Sequence, residues 1–427
     1  MLDIASIREN PEDVKKGIAR KGADPALVDA ALELDASRRK LLHEIETRQS
    51  RLNTISEEIS KSHGQQKIDL INEAAPLSQY VKKARPELEK VEADYMATML
   101  QIPNMPDADV PDGASDKENV VLRHEGTKPE FSFAPKSHIE LMEALDLVDF
   151  NQAAKVSGHK FYYLKNEAVI LEMALLRYAM DTLMKKGFTP MTPPDLVRYE
   201  AMVGAAHFPP DDDAYKLPED NLYLAGTAEV GLVNYHAGQA LPEEVLPLRY
   251  AGYSACFRRE AGAHGKKGGG LYRIHQFHKI EMVSFVRPED ATTEHELLQS
   301  ISETMLKELG LHYRVVFNCA GDLGMPQVKK WDIETYIPSD DDFGETHSCS
   351  NDTDYQARRL GIKIKRSKDG ETQTSKQSGY VYTLNNTAFA SPRILIPLIE
   401  HYQQEDGSIV IPKVLVPYTG FDKIELH

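Results

Sequence analysis

Two stretches of this 427-residue chain repeat a pattern at alternating steps of four and three residues. The first passes through Leu34, Arg38, Leu41, Ile45, Arg48, Leu52, Ile55 and Ile59. The second passes through Leu70, Ala74, Leu77, Val81, Ala84, Leu88, Val91 and Tyr95. A mean step of about 3.5 is the seam of a coiled coil, written twice, and fits no strand. Ser62-His63-Gly64-Gln65 lies between the runs and supplies a turn, so the helices are expected to fold back on each other as an antiparallel hairpin. About 33 residues per limb at about 1.5 Å each make a limb roughly 50 Å long. From the pattern alone an oligomerisation device is the plainer use, but here the two runs can satisfy each other within one chain. Pro76 and Pro86 fall in the second run. Each removes an amide donor and crowds the preceding turn, which predicts a kink or break near each.

Beyond the hairpin the texture changes. Pro103, Pro106 and Pro111, with neighbouring Asp and Gly, read as a linker over 103–115. That gives an N-terminal domain at 1–102, with the hairpin at about 27–100, and a second domain at 116–427. In the latter, Ala168–Met184 and Thr292–Leu309 read as helices, and Tyr313–Asn318 and Trp331–Ile337 as strands. The expected class is α+β, an antiparallel sheet with helices packed against it. The composition, 41% hydrophobic and 27% charged, is that of a soluble globular protein. Cys256, Cys319 and Cys349 are too scattered for a disulfide framework or a zinc site and read as buried thiols. Asp3, Arg8, Glu9, Glu12 and Asp13 are unlike a signal peptide, and no run of about 18 apolar residues suggests a membrane span, so a cytoplasmic location is expected. The net charge of −16 argues against indiscriminate coating of nucleic acid. Residues 27–100, however, hold eleven Lys/Arg against thirteen Asp/Glu, a difference of only −2. Local basic clusters stand there: Arg38-Arg39-Lys40, Arg48 and Arg51 on one limb, Lys82-Lys83 and Arg85 on the other.

The chemistry concentrates in Phe257-Arg258-Arg259-Glu260-Ala261-Gly262 and Leu271-Tyr272-Arg273-Ile274-His275-Gln276-Phe277-His278-Lys279-Ile280-Glu281-Met282. The spacing predicts two strands joined by the glycine-rich loop 262–270. Alternation puts Arg258 and Glu260 on one face, and Arg273, Phe277 and Glu281, four apart, on one face of the second strand. Guanidinium forks suit phosphate, an aromatic plate suits a purine, and carboxylates suit an exocyclic amine or an ammonium. Taken singly, each has a duller use: Arg-x-Glu as a surface ion pair, Phe277 as core, Arg393 as a helix-start residue.

These residues resemble motif 2 of class II aminoacyl-tRNA synthetases, in the form found in seryl-tRNA synthetase. Three further blocks agree in order. Thr227-Ala228-Glu229 resembles the serine-binding triplet. Glu345-Thr346-His347-Ser348, followed by Gln356-Ala357-Arg358-Arg359, resembles the metal and ATP block. Leu384-Asn385-Asn386-Thr387 through Arg393 resembles motif 3, and Gly187-Phe188-Thr189-Pro190 with Pro193-Pro194 resembles motif 1, through which such enzymes form homodimers. The resemblance implies a class II catalytic domain behind a tRNA-binding hairpin, and a two-step reaction. Serine carboxylate attacks the α-phosphate of ATP, and the seryl group then passes to the 3′-terminal adenosine of tRNA(Ser), with tRNA(Sec) a further candidate.

The resemblance also distributes roles. Arg258 would hold the α-phosphate and the serine carboxylate, and Arg393 the γ-phosphate, as the two catalytic residues. Arg259, Glu260, Arg273, Phe277, Glu345, Thr346, His347 and Ser348 would complete the ATP site. Glu345 and Ser348 would give oxygen ligands to Mg²⁺. Serine would be held by Thr227, Ala228, Glu229, Glu281, Asn385 and Thr387. Arg39, Lys40, Arg51, Lys82 and Lys83 would face tRNA, because Arg38 and Arg48 sit on seam positions. The chain departs from the family where Gly269 and Gly344 replace usual arginines, and where Asn386, Ala388 and Phe389 replace smaller residues that would leave the pocket roomier. The competing reading is a paralogue that binds tRNA or a partner without aminoacylating.

Overall fold

The computed structural model describes residues 1–210, 213–260, 269–365, 367–368, 371–372 and 379–426. The chain divides into two compact units, Met1–Met105 and Pro106–His427.

In the first unit, short helices α1 (Ile4–Glu9) and α2 (Pro11–Arg20) precede the hairpin of α3 (Ala26–Lys61) and α4 (Gly64–Gln101). Only Ser62 and His63 separate the long helices, and Gly64 takes φ +56°, where a side chain would strain the turn. Every seam position is buried or half-buried, with Ile45, Ile55, Val81 and Ala84 buried outright. Helix α4 runs unbroken through Pro76 and Pro86, against the expected interruption. Both prolines lie on its exposed face, as do Asn72 and Lys82, whose carbonyls lose their helical donors and can bond water instead. The seam therefore packs without disturbance.

The seam arginines are structural. Arg48 lies 3.7 Å from the Tyr80 ring centroid, Tyr80 donates to Glu44, and Arg38 lies 4.9 Å from the Tyr95 ring. At the hairpin base Asp35 is fully buried and accepts two bonds of 2.8 Å from Arg8 and one of 3.0 Å from Arg39. Burial would push its carboxyl up, but Arg8 and Arg39 hold it below the usual range. That ties α1 to α3 over a small apolar core of Ile7, Val14, Ile18, Val28, Ala31, Met99 and Ile102.

The second unit is built on eight strands: β1 (Val120–Glu125), β2 (Thr189–Met191), β3 (Leu248–Phe257), β4 (Gln276–Val286), β5 (Tyr313–Phe317), β6 (Lys329–Ile337), β7 (Asp342–Thr353) and β8 (Tyr382–Ser391). Their spatial order is β1-β5-β6-β7-β8-β4-β3-β2, antiparallel except for the β2–β3 pair. Helices α5 (Glu167–Lys185) and α7 (Ala291–Glu308) pack one face into a core containing Leu171, Leu175, Ala179, Leu298, Ile301, Met305, Met282 and Phe389. Helix α6 (Ala228–Asn234) and a short helix α8 (Leu395–His401) flank the other functional segments.

The sheet is the expected antiparallel one, and two local expectations need correction. Strand β3 stops at Phe257 and β4 starts at Gln276, so Arg258, Glu260 and Arg273 lie beyond the strand ends. In motif 3, Asn386 does not face the pocket. Its Nδ2 donates to Leu298 O at 2.8 Å and to Ser302 Oγ at 2.9 Å, on helix α7. The β4–β8 register slips between Ile280–Phe389 and Glu281–Thr387, leaving Ala388 unmatched, and Ala388 and Phe389 both join the core. The bulge thus keeps Thr387 on the functional face and turns the larger neighbours inward.

Candidate active site

One cavity over the open face of the sheet gathers most of the candidate residues. Its walls include Thr227, Glu229, Arg258, Glu260, Phe277, Glu281, Glu345, Thr346, Ser348, Asn385, Thr387 and Arg393. Elements distant in sequence supply them, because antiparallel pairing brings β4, β7 and β8 side by side and period two aims alternate side chains at the same face. The 261–268 part of the motif 2 loop, with Gly262, Lys266, Lys267 and Gly268, lies outside the described residues.

At the nucleotide end, Arg258 sits 5.4 Å from the Phe277 ring centroid, and its Nε donates to Gly226 O at 3.3 Å. Its backbone N–H donates to His275 O at 3.0 Å, which closes the loop base. Glu260 takes φ +52° and accepts from Arg273 at 2.7 Å. Arg273 therefore acts on the cavity through Glu260 and does not line it. Arg393, after Pro392, lies 4.6 Å from the Tyr272 ring centroid, donates to Glu345 O at 3.3 Å, and has Nη1 3.6 Å from Glu345 Oε1.

Gly344 has its own explanation. A Cβ there would lie 2.8 Å from Ile337 Cδ1 and 3.0 Å from Tyr272 Cε2. Ile337 and Tyr272 thus occupy the room a side chain at 344 would need, and the same tyrosine ring stacks on Arg393. Gly269, in contrast, has nothing among the described residues within 4 Å of a Cβ.

At the other end, Glu229 and Glu281 are 8% and 2% exposed. Thr227 caps α6 by accepting from the Glu229 N–H at 3.2 Å. Glu229 accepts from Gln356 at 2.6 Å and lies 3.5 Å from His207. Burial would raise its carboxyl, yet His207, Gln356 and Lys279 hold it below the usual range. Glu281 ends above that range: burial raises it, Lys279 and Arg258 pull it down, and Glu229 pushes it up. Thr387 Oγ1 donates to Glu281 Oε2 at 3.4 Å, and Asn385 is held by Asp352 at 3.2 Å.

Besides Arg273, three candidates stand apart from the cavity. Arg259 is exposed, and its N–H donates to Asp213 O. Ala228 is buried in the first turn of α6. The His347 ring is buried against Phe389, 5.7 Å between centroids, with burial pushing its pKa down to about 4. The sequence reading missed His207, Tyr272, Lys279 and Gln327, which also line the cavity. Lys279 was legible, since it alternates with Phe277 and Glu281. His207 and Gln327 carry no local signal.

Glu345 and Ser348 offer hard oxygen donors on one wall, and no cluster of three or more His, Cys, Asp or Glu suited to a metal occurs among the described residues. Two protein oxygens fit Mg²⁺, which keeps waters and substrate phosphate oxygens as its remaining ligands.

On the hairpin, Lys40, Lys82 and Lys83 are exposed, and Arg39 is 56% exposed at its side chain. Arg51 already spans the limbs, bonding Glu73 at 2.7 and 3.0 Å.

An antiparallel sheet with arginines, an aromatic plate and carboxylates on one face, entered by a strand pair and closed by a strand–helix element carrying Arg393, defines a class II aminoacyl-tRNA synthetase core. Residues 215–402 match the model of the tRNA synthetase class II core domain (G, H, P, S and T). Residues 1–106 match the seryl-tRNA synthetase N-terminal domain. The chain belongs to the seryl-tRNA synthetase family. It is 45% identical to a serine–tRNA ligase of Dictyoglomus thermophilum, over 100% of this chain and 99% of that protein. Among solved structures it resembles seryl-tRNA synthetase from Pyrococcus horikoshii complexed with ATP, with TM-score 0.92, 39% identity and full coverage of both chains. It also resembles a cytoplasmic serine–tRNA ligase from Naegleria fowleri in complex with AMP, with TM-score 0.86, 31% identity and coverage of 100% and 99%.

Proposed function

We propose that this chain is a serine–tRNA ligase that activates L-serine with ATP and transfers it to tRNA(Ser). The observation that carries the reading is the convergence of Arg258, Glu260, Phe277, Glu281, Glu345, Thr387 and Arg393 on one cavity. Attack on phosphorus needs alignment and charge neutralisation more than a covalent contribution from the protein. Arg258 lies between the two ends of the cavity and holds both the α-phosphate and the serine carboxylate, bringing nucleophile and electrophile together. Phe277 stacks on the adenine, and Glu260 accepts from its amino group. Arg393 neutralises the γ-phosphate, oriented by Tyr272 and Glu345. Glu345 and Ser348 hold Mg²⁺, which offsets phosphate charge when bound.

Serine is selected by polar pairing. Its ammonium bonds Glu281, and its hydroxyl meets Thr387, Glu229 and Asn385. A pocket built for a hydroxyl rejects an analogue without one, because its own buried groups would be left unpaired. The hairpin binds tRNA through Arg39, Lys40, Lys82 and Lys83, contacts to phosphate and shape that weaken with salt. Arg51 contributes after release from Glu73.

The active form is a cytoplasmic homodimer. Ile170 and Met173, 41% and 62% exposed on α5, favour a covered surface there, and no described helix is long and apolar enough to cross a membrane. The test is serylation of purified tRNA(Ser), with tRNA(Sec) as a second arm. Binding of tRNA(Ser) without charging would replace this reading by a non-catalytic paralogue.

A further inference from the structure

Lys279 lies on β4 between Phe277 and Glu281, so period two places it on the cavity wall. It is 5% exposed, and its Nζ is 2.6 Å from Glu281 Oε2. A second buried carboxylate, Glu229, lines the same end. Two buried carboxylates facing one another are costly unless a cation stands with them. The charged and titratable groups set against Glu281 among the described residues come from several elements, with His207 beyond Glu229. Lys279 is on its own strand, Glu229 on α6, Arg258 beyond β3, Thr387 on β8, and Cys256 and Cys349 on β3 and β7. Burial pushes both thiols up, so they stay uncharged. Arg258 is the other cation of this set, and in the proposed reaction it serves carboxylate and phosphate.

We infer that Lys279 is the resident counter-cation of the amino-acid pocket: it pairs with Glu281 while the pocket is empty and holds that carboxylate in place for the incoming ammonium. The inference rests on Glu281 as the ammonium acceptor. Without Lys279, burial and Glu229 would favour the protonated acid, a poor partner for an ammonium. Serine would then bind only as pH rises enough to ionise Glu281. Lys279 is thus a positioning residue for Glu281, and its loss acts on KM and leaves the phosphate chemistry intact.

The test uses the full chain in serine-dependent ATP–pyrophosphate exchange, comparing parent, Lys279→Met and Glu281→Gln between about pH 6 and pH 8.5. Lys279→Met should raise the serine KM about tenfold or more near pH 6.5, with the gap to the parent closing as pH rises. Its ATP KM and its kcat at saturating serine should stay within about threefold of the parent. A parental or lower serine KM for Lys279→Met at every pH, with Glu281→Gln impaired, overturns the inference alone. A parental Glu281→Gln removes the ammonium site and the inference with it.

If Lys279→Met does not fold, the parent enzyme still decides. 3-Hydroxypropanoate has the hydroxyl and carboxylate of serine but no ammonium, so it leaves the Lys279–Glu281 pair in place. It should inhibit competitively with Ki within about tenfold of the serine KM, since no buried carboxylate is left unpaired. No inhibition at about a hundred times that KM overturns the inference.

Discussion

Arg258 is the residue whose removal should be most costly. It lines the cavity beside Phe277 and in the proposed reaction holds both substrates, while Arg393 lies against Tyr272 and Glu345. Arg258→Ala should abolish serine-dependent exchange, at a cost of about 3 kcal/mol or more in activation free energy. Its thermal midpoint should stay parental, because the residue is only half-buried and, among the described residues, its guanidinium makes one bond, to Gly226 O. Exchange within a few-fold of the parent would remove it from the α-phosphate. Thr387→Val keeps the shape and deletes a hydroxyl, so the serine KM should rise and rejection of alanine should relax by about 1–3 kcal/mol. An unchanged serine-to-alanine ratio of kcat/KM would exclude Thr387 from the hydroxyl site.

The two glycines that replace arginine should respond in opposite ways. Gly269→Arg meets no described neighbour and, in the proposed reaction, adds a fork near the phosphates, so exchange should quicken, by up to about tenfold. Gly344→Arg must move Ile337 and crowds Tyr272, which supports Arg393, so exchange should fall. Equal effects of the two would refute this account of the tyrosine.

At the scale of elements, legibility followed periodicity. The hairpin could be read because a step of about 3.5 survives two prolines when both face solvent. The lengths of α5, α7 and β6 were read to within two residues from apolar spacing. The ends of β3 and β4 could not be read, because Arg258, Glu260 and Arg273 continue the alternation while the backbone leaves the sheet, with Glu260 at positive φ. The bulge at Ala388 was equally silent, as it is set by pairing with β4 and not by its own residues. Hence most of the site's membership was legible, but the turn of Asn386 away from the cavity toward α7 and the separation of Arg259 and His347 from the cavity were not. The hairpin yields its own prediction. Replacing residues 42–87 by a short linker keeps the base core around Val28, Ala31 and Met99 and the Asp35 cluster. Serine activation should persist while tRNA charging is lost. Charging at the parental kcat/KM would make the hairpin an oligomerisation or partner element.

For the whole molecule, the buried His295 and the half-buried His401 set an acid limit. Burial pushes His295, stacked on Trp331 at 4.1 Å, and His401 down to about 4. Their folded pKa values lie below the unfolded value, so the unfolded chain binds protons first as pH falls. The stability they contribute is complete above about pH 6.5 and is lost as pH drops toward 4, at about 1.4 kcal/mol per pH unit for each. Thermal midpoints recorded from pH 7 to pH 4.5 should therefore decline steadily, and a flat profile would contradict neutral burial of these rings.

The central claim is that one cavity of this chain joins serine to ATP. Pyrophosphate exchange measured with the purified full-length protein across a panel of amino acids tests it most directly. Exchange is expected with serine, far weaker exchange with alanine and threonine, and none with Arg258→Ala. Absence of serine-dependent exchange in the parent, or equal exchange with alanine, would contradict it.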